Sequence, residues 1–405
     1  MEYTVHRQFM AKGWRRFLEE ESEHQWLAIS VFFIFIIIGA FAIHGTSKLT
    51  GMDISNNSEM PDSRIMHIEH ASNNDYTAIA HTSEGMYLYQ FTNGKDTIIL
   101  DSNSESGTSN IDFLSLMNNG SVATSISENS IMLIDDGIVS YLDLSEERGS
   151  FGINKISQNY NENLDSMILI TDEGDFTSFR GAGVDGIPSS ATPETSNIEW
   201  KDISPISENE WIATGLLISS NGGENNPASP KITPVVGHVI WTGGFTAPMI
   251  QDIEFGDSGE FHSMVKIGEK MVIAGTSQTL VFDSNDLSFE YIDITSKAAI
   301  KSDCETIWFF GTIHSETVIK WNEHESRVIE LQHKMPIEIE TFGSSDEMIF
   351  MYGTDASGNN KILTFDSSSY GSIESGRGFL NFSFLLIFSI AFVVMGWNVY
   401  DRMNS

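Results

Sequence analysis

Four oxygen-bearing side chains in one short segment have the spacing of a calcium-binding loop. The segment DSNSESGTSNID (101–112) places them at loop positions 1, 3, 5 and 12: Asp101, Asn103, Glu105 and Asp112. Carboxylate and amide oxygens are the ligands that calcium prefers. Ser106 stands where the loop pattern has glycine, and chance spacing in an acidic chain is the alternative. Calcium at these four residues is the one cofactor that the sequence suggests; otherwise we expect none.

Other side chains capable of chemistry are scattered. His67 and Glu69 lie two residues apart, so they share one face of a strand, with His70 and His81 nearby. A metal site needs three or four convergent ligands, which this spacing alone does not supply. Cys304, the single cysteine, has no adjacent histidine and forms no intrachain disulfide. Because no nucleophile, P-loop or dinucleotide motif is found, the sequence favours a non-enzymatic protein.

An alternating apolar segment followed by a Thr and a turn recurs along the chain. Clear copies are MVIAGTSQTLVFD (271–283), IWFFGTIHSETVIKW (307–321) and MIFMYGTDASGNNKILTF (348–365). Including looser copies, seven threonines mark the turn: Thr82, Thr124, Thr171, Thr214, Thr276, Thr312 and Thr354. Their separations run from 36 to 62 residues. Alternation with period two indicates β-strands, so the repeat unit contains a β-hairpin.

The repeat length predicts the fold class. A four-stranded blade of a β-propeller takes about 40–50 residues. We predict an all-β, seven-bladed β-propeller, with six or eight blades as alternatives. Small residues end the second strand in several copies, for example Ala123, Ala213 and Gly275, as crowding near a hub would require. A β-sandwich or a β-solenoid is the competing architecture, but such folds seldom keep one repeat length seven times.

The last blade lacks one strand. After KILTFD (361–366) only SSSYGSIESGRG remains before a long apolar stretch. We expect the segment LTGMDISNNSEM (49–60) to supply the missing outer strand and close the ring. Closure would leave no exposed sheet edge and would bring the two ends of the domain together.

The repeat resembles those of membrane-anchored β-propellers related to WD40-like and quinoprotein-like proteins. The resemblance covers repeat length and hairpin pattern. None of the eight Trp residues is followed by Asp, so the WD dipeptide is absent. The resemblance therefore implies the fold and leaves the activity open.

Two stretches lack Asp, Glu, Lys and Arg entirely, Gln25–Ser47 and Gly378–Tyr400, each of 23 residues. About 20 apolar residues of helix cross a bilayer core, so we predict transmembrane helices over 25–47 and 378–400. A cleaved signal peptide is the alternative for the first stretch, because Ala40-Phe41-Ala42 resembles a cleavage site. The expected domains are a tail (1–24), the first helix, a propeller (48–377), the second helix and a tail (401–405).

The flanking basic residues predict the orientation. Arg7, Lys12, Arg15 and Arg16 precede the first stretch, and Arg402 follows the second. Basic flanks stay in the cytoplasm, so both termini are expected there and the propeller outside. Apolar residues on one face of the N-terminal tail, with these basic residues around it, predict an amphipathic helix on the inner leaflet.

Residues 48–377 contain 17 basic and 50 acidic residues. Such a charge repels nucleic acid and anionic lipid. Adaptation to high salt, with acids spread over the surface, is the interpretation we favour. Two segments exceed the repeat, 181–197 and 219–237, and both are expected to be surface excursions that a partner could bind.

These observations favour a membrane-tethered extracytoplasmic scaffold that binds a protein partner or an envelope complex. The alternatives are a hydrolase in the propeller channel, which needs convergent carboxylates with perturbed pKa values, and a sensor of cations or small solutes. The identity of the partner and the oligomeric state do not follow from the sequence.

Overall fold

The computed structural model describes residues 22–45, 52–55, 63–72, 75–92, 94–101, 111–144, 151–159, 166–180, 197–219, 231–242, 247–303 and 306–403. The chain divides into two compact units, Thr50–Ser369 and the terminal segments Met1–Leu49 with Tyr370–Ser405. The first unit consists of strands. The second contains two helices.

Seven antiparallel sheets make up the larger unit, so the predicted seven-bladed β-propeller is confirmed. Each blade hydrogen-bonds its strands in chain order from the innermost outward. The strands of blades 1 to 3 are β2–β5 (Arg64–Ser72, Asp75–Thr82, Gly85–Thr92, Lys95–Leu100), β6–β9 (Ser115–Leu116, Val122–Ser127, Ser130–Asp135, Ile138–Asp143) and β10–β12 (Ile153–Gln158, Ser166–Thr171, Phe176–Arg180).

The remaining blades follow the same plan. Blade 3 has three strands within the described residues, and blade 7 borrows its outermost strand from the start of the chain. The strands of blades 4 to 7 are β13–β16 (Ile198–Ser207, Glu210–Ser219, Lys231–Ile240, Met249–Phe255), β17–β20 (Phe261–Ile267, Lys270–Gly275, Thr279–Asp283, Ser288–Ile292), β21–β24 (Ala298–Asp303, Thr306–Phe310, Thr317–Trp321, Ser326–Glu330) and β25–β27 (Ile337–Ser345, Met348–Asp355, Asn360–Asp366) with β1 (Met52–Ser55).

The ring closes as the sequence predicts. β1 pairs antiparallel with β27, from Met52 opposite Phe365 to Ser55 opposite Ile362. Innermost strands β2 and β25 contact each other, so blade 1 follows blade 7 in the ring. Phe365 of β27 also packs edge-on against Trp308 of blade 6, with ring centroids 4.8 Å apart. The closing blade is thus held by hydrogen bonds on one side and by aromatic packing on its face.

The Thr that recurs at the same position of the repeat has a structural role in several blades. The Thr82 hydroxyl donates to the Gly85 carbonyl at 3.2 Å and accepts from the Glu84 amide at 3.1 Å, so it closes its own turn. The Thr171 hydroxyl accepts from the Asp175 amide at 3.2 Å. Thr276 differs, because its hydroxyl accepts from the Glu260 amide and fastens the entry to β17.

Small residues near these turns avoid clashes with neighbouring backbone. A Cβ on Gly275 would lie 2.8 Å from the carbonyl oxygens of both Glu260 and Gln278. A Cβ on Gly353 would overlap the carbonyl of Glu338. Ala123 and Ala213 are fully buried. At Gly275 and Gly353 the crowding comes from the backbone of the same blade.

The core consists of apolar layers between adjacent blades. Between blades 3 and 4 the layer contains the large rings of Phe176, Trp200 and Trp211. Between blades 7 and 1 it contains Ile65 and Tyr352. Burial of apolar surface contributes about 25 cal/mol per Å² to stability. Because these layers lie between blades, each blade is stabilised by packing against its neighbours.

One sequence expectation needs correction. The segment 219–237 was predicted as a poorly packed excursion, but its last seven residues belong to β15, where Val235 and Val236 are fully buried. The Gly, Asn and Pro residues of this segment suggest a loop. Pro234 nevertheless lies within β15, opposite Leu216, and the strand continues on both sides of it. Residues 220–230 and 181–196 lie outside the described part of the chain.

The two helices are α1 (Ser22–Gly45) and α2 (Ser367–Met403). Asp366, the residue before α2, caps the start of this helix, since its carboxylate accepts from the Ser368 amide at 3.0 Å. The described side chains of α1, residues 30–41, are mostly exposed and apolar. Within the described residues, no helix is both long enough and apolar enough to cross a membrane. The predicted amphipathic tail, residues 1–21, is outside the described part.

α1 and α2 pack antiparallel through aromatic rings. Phe32 stacks on Phe388 with centroids 5.6 Å apart, and Phe35 stacks on Phe384 at 5.7 Å. A Cβ on Gly39 would overlap the Phe384 ring, so glycine permits this close approach.

The register of the closing strand can be tested by cysteine cross-linking in a C304S background. Ile54 and Leu363 are Cα partners, so I54C with L363C should form a disulfide under mild oxidation. The bond should raise the melting temperature by roughly 5 °C or more. Non-reducing electrophoresis and thermal unfolding are the measurements.

The control pairs I54C with K361C, two residues out of register. Diagonal partners lie about 7–8 Å apart, too far for an unstrained disulfide. Equal cross-linking in both pairs would contradict the observed register.

Candidate functional site

The innermost strands of all seven blades enclose a central channel with a cavity of about 580 Å³. Its wall mixes charged, polar and apolar side chains. The charged ones are Glu69, Lys155, Asp202, Lys266 and Lys301, which come from β2, β10, β13, β17 and β21. Residues far apart in the chain therefore converge in the channel, which is the candidate functional site.

A charged triad lies on the side of the channel formed by blades 1, 3 and 4. The Lys155 ammonium is 3.4 Å from an Asp202 carboxylate oxygen and donates to the Leu114 carbonyl at 3.3 Å. Burial alone would lower the pKa of Lys155, but the charges of Asp202 and Glu69 outweigh it and raise that pKa. The Asp202 side chain is 39 % exposed, so solvent in the channel screens the pair.

Glu69 is the acidic group with the largest perturbation in the channel. Burial raises its pKa to about 7, Lys155 opposes the shift and Asp202 adds to it. A carboxyl group with this pKa holds its proton in mildly acidic solution and loses it slightly above neutrality. The channel therefore contains a group that can accept or donate a proton near neutral pH.

Two further lysines reach across blade boundaries. The Lys266 ammonium donates to the Ile206 carbonyl of blade 4, and the Lys301 ammonium donates to the Lys266 carbonyl at 2.9 Å. Together with the bond from Lys155 to Leu114, these contacts tie blades 3, 5 and 6 to the blade that precedes each. A carbonyl oxygen satisfies an ammonium hydrogen without cancelling its charge.

A second cavity of about 320 Å³ shares four lining residues with the first: Lys155, Asp202, His262 and Phe342. Burial lowers the pKa of His67 there, Lys155 lowers it further, and Asp112 opposes. His262 Nε2 lies 3.0 Å from the Ser296 carbonyl, so this nitrogen carries the hydrogen and donates. Burial lowers the pKa of His262 as well.

The residues singled out in the sequence are distributed over several places. Asp112 lines the second cavity and Asp101 follows β5, whereas Asn103 and Glu105 fall outside the described residues. The calcium loop thus stays a prediction. No group of three or more His, Cys, Asp or Glu side chains in the described part of the chain could hold a metal ion.

His67 and Glu69, two residues apart on one strand, line different cavities, Glu69 the larger one and His67 the smaller one. His70 instead stacks on Phe350 with ring centroids 4.6 Å apart, and His81 is exposed at the end of β3. Cys304 lies beyond the described residues. The carboxylates Glu69 and Asp202 come together beside Lys155. A hydrolase in the channel would need such a pair of carboxylates. The hydrolase and the sensor both stay predictions.

Sequence reasoning missed the lysines of the channel. A usable signal was present, because Lys155, Lys266 and Lys301 are basic residues within the first strand of their repeats in a domain with few basic residues. Their convergence depends on the ring, so spacing along the chain does not reveal it.

No family model matches the chain, and no curated protein matches its sequence. Solved structures are similar in fold. Virginiamycin B lyase from Staphylococcus aureus, crystallised with quinupristin, is 14 % identical with a TM-score of 0.47, over 78 % of this chain and 99 % of that one.

The β-propeller domain of Cps50 (Swd1) from Myceliophteria thermophila is 10 % identical with a TM-score of 0.49, over 78 % of this chain and 99 % of that one. A chain of the mitotic checkpoint complex is 8 % identical with a TM-score of 0.50, over 79 % of this chain and 95 % of that one. These similarities concern the fold alone. The propeller, and the resemblance at the level of the repeat, are confirmed.

The ionisation of Glu69 predicts a pH dependence of stability. The pKa of Glu69 in the folded protein is about 7, above the ordinary value of 4.5. At a pH between these two pKa values, the native state keeps a proton that the unfolded chain releases. The contribution of this group to stability therefore falls as pH rises toward 7. E69Q removes the titration, so its free energy of unfolding relative to wild type should rise by up to about 3 kcal/mol between pH 5 and pH 8.

Denaturant unfolding of both proteins at the two pH values measures this difference. D257N, a change at an exposed acid outside the channel, is the control and should show no such trend. A constant difference between E69Q and wild type would show that Glu69 does not titrate in this range.

Proposed function

We propose that this protein is a membrane-tethered, extracytoplasmic β-propeller that binds a protein partner through the end of blade 4. The observation that carries the proposal is an exposed apolar pair on β14 and β15, two of the three ten-residue strands of this blade. Ile218 and Ile232 face each other across these strands and are 43 % and 50 % exposed.

Blade 4 exposes another apolar side chain on its other face. Phe255 of β16 lies opposite Val235, three residues along β15 from Ile232, so alternation along the strand places it on the opposite face of the sheet from the pair. Phe255 is also substantially exposed. The Tyr291 hydroxyl of blade 5 donates to the Phe255 carbonyl at 3.2 Å and to Glu254 at 3.1 Å. We call Ile218 and Ile232 the blade 4 patch. Exposed apolar side chains grouped in this way are typical of protein interaction sites.

The chemistry of the partner follows from the charge around the patch. Apolar anchors with a polar rim suit a protein surface. The surrounding domain carries 17 basic and 50 acidic residues, so the rim favours a partner with basic residues and repels nucleic acid.

Membrane tethering is supported by the two stretches without charge, 25–47 and 378–400. α1 exposes Phe33, Ile34 and Ile38 to more than half of their full area, and α2 likewise exposes Phe392 and Trp397. Exposed apolar side chains on successive positions of a helix are costly in water and favourable in lipid. Phe32 and Phe35 stacking on α2 would then be contacts between two membrane helices.

Ring closure fits two anchors on one domain. β1 follows α1 in the chain and pairs with β27, and α2 begins at the residue after β27. The two points where the propeller chain begins and ends are therefore adjacent, as an attachment at both ends to one membrane requires.

The topology can be tested with a membrane-impermeant maleimide in a C304S background. S258C lies at an exposed turn of the propeller and should react in intact cells. R16C in the N-terminal tail should react only after permeabilisation, because the basic flank stays inside. The reverse pattern, or labelling of R16C in intact cells, would refute the proposed orientation.

Partner binding can be tested by cross-linking in intact membranes, followed by affinity recovery. The double variant I218S/I232S should recover at least tenfold less of a partner than wild type, because it removes the apolar anchors. V328S changes a still more exposed apolar residue on β24 of blade 6 and should recover the same amount as wild type. A partner retained by I218S/I232S, or lost equally in V328S, would rule out the blade 4 patch.

A further inference from the structure

The outermost strand of blade 2 has an unpaired backbone edge. β9 (Ile138–Asp143) pairs with β8 over its whole length, from Ile138 opposite Asp135 to Asp143 opposite Ser130. In the part of the chain that the structure describes, no strand pairs with the other side of β9. A free strand edge offers a row of N–H and C=O groups to which another strand can add.

The turn before β9 determines which of these groups are free. Asp136 and Gly137 form a two-residue turn and have φ values of 46° and 76°. Two positive φ values are typical of a type I′ turn. The residues that flank such a turn pair by hydrogen bonds, so Ile138 directs its N–H and C=O toward β8. Because these groups alternate in direction along a strand, those of Val139 and Tyr141 point outward.

Blade 2 lacks the features that protect the outermost strands of the other four-stranded blades. A charged residue within the strand, or a bulge, discourages the addition of a further strand. β5 and β16 have both, with register shifts against β4 and β15. β1, β20 and β24 each carry a charged residue, respectively Asp53, Glu290 and Arg327. β9 has no charge before its last residue, no proline and no register shift.

β9 also exposes apolar side chains on both faces of the blade. Ile138 is 71 % exposed and Tyr141 is 54 % exposed. They lie three positions apart, so alternation places them on opposite faces of the sheet. A strand added beside β9 would cover both side chains with its own, while its backbone bonded to Val139 and Tyr141. The edge therefore suits a segment with apolar groups on both of its faces.

The charge around the edge indicates which occupant fits. Asp135 and Asp136 lie before β9, Asp143 ends it, and all three are exposed. A segment with basic residues at its two ends would meet a carboxylate at each end. A second copy of this chain, paired antiparallel through its own β9, would bring Asp136 of one copy close to Asp143 of the other. Like charges opposite each other are destabilising, so the charge favours a different protein.

We propose that β9 binds an extended segment of another protein, which adds to the four strands of blade 2 as a further strand. The segment has β-branched or other apolar residues at its centre and lysine or arginine at its ends. This edge is separate from the blade 4 patch and can be occupied whether or not that patch binds a partner.

Fluorescence anisotropy of a fluorescein-labelled peptide, KKVTVTVTKK, titrated with the full-length protein in detergent, tests this binding. Valine and threonine put methyl groups on both faces of the peptide, and the lysines match the acids at the ends of β9. We expect saturable binding at micromolar protein. The same peptide N-methylated at every valine and threonine should bind at least about tenfold more weakly, because its backbone can no longer donate hydrogen bonds. EEVTVTVTEE should lose as much, because its ends repel the acids.

Two variants at one position separate the backbone from the side chain. Y141P removes the outward N–H, which takes no part in the pairing with β8, and should weaken binding at least about tenfold. Y141T removes the aromatic ring but keeps the N–H, so its affinity should stay within about threefold of wild type. Circular dichroism and thermal unfolding check that both variants fold. If Y141P does not fold, the N-methylated peptide decides the question.

Three results would overturn the proposal. The first is the absence of saturable binding of the lysine-flanked peptide. The second is equal binding of the N-methylated peptide, or of the native peptide by folded Y141P. The third is a dimer of the protein alone in analytical ultracentrifugation that Y141P abolishes, which would assign the edge to a second copy of this chain.

Discussion

The pairing of β1 with β27 is the contact on which the rest of the propeller depends. Each blade buries its two faces against its neighbours, so a ring with an open seam would expose one apolar face on either side of the gap. Four residues of β1 complete blade 7, and the contact between β25 and β2 seals the hub. Once the ring is closed, its radius is fixed, and so is the set of side chains that meet at the centre.

The centre shows how the ring turns local sequence into a site. A lysine of one blade reaches a carbonyl of the blade before it, as Lys155 and Lys301 do. These bonds hold neighbouring blades together and at the same time place ammonium groups in the channel. Stability of the ring and charge in its channel thus come from the same side chains.

The repeat, the blade number and the closing strand were predictable from the sequence, because each is encoded locally. The threonines mark each hairpin, and KILTFD leaves the last blade one strand short. The channel was not predictable, since Glu69, Lys155 and Asp202 come together only across blades 1, 3 and 4. The Gly and Pro residues near 231–237 predicted a loop, but these residues form a strand in which Val235 and Val236 are fully buried. The blade 4 patch was not predictable from the sequence either, because the exposure of a side chain depends on how the strands pack.

The partner strands that close the ring lie at opposite ends of the polypeptide, with Ile54 opposite Leu363 and about 310 residues between them. During synthesis at about 5–20 residues per second, β1 leaves the ribosome roughly 15–60 s before β27 exists. Blades 1 to 6 can form hairpins as they emerge, but the first strand has no edge to join until translation is nearly finished. The newly made protein therefore passes through an open arc whose two terminal faces are bare, and closure is its last step of assembly.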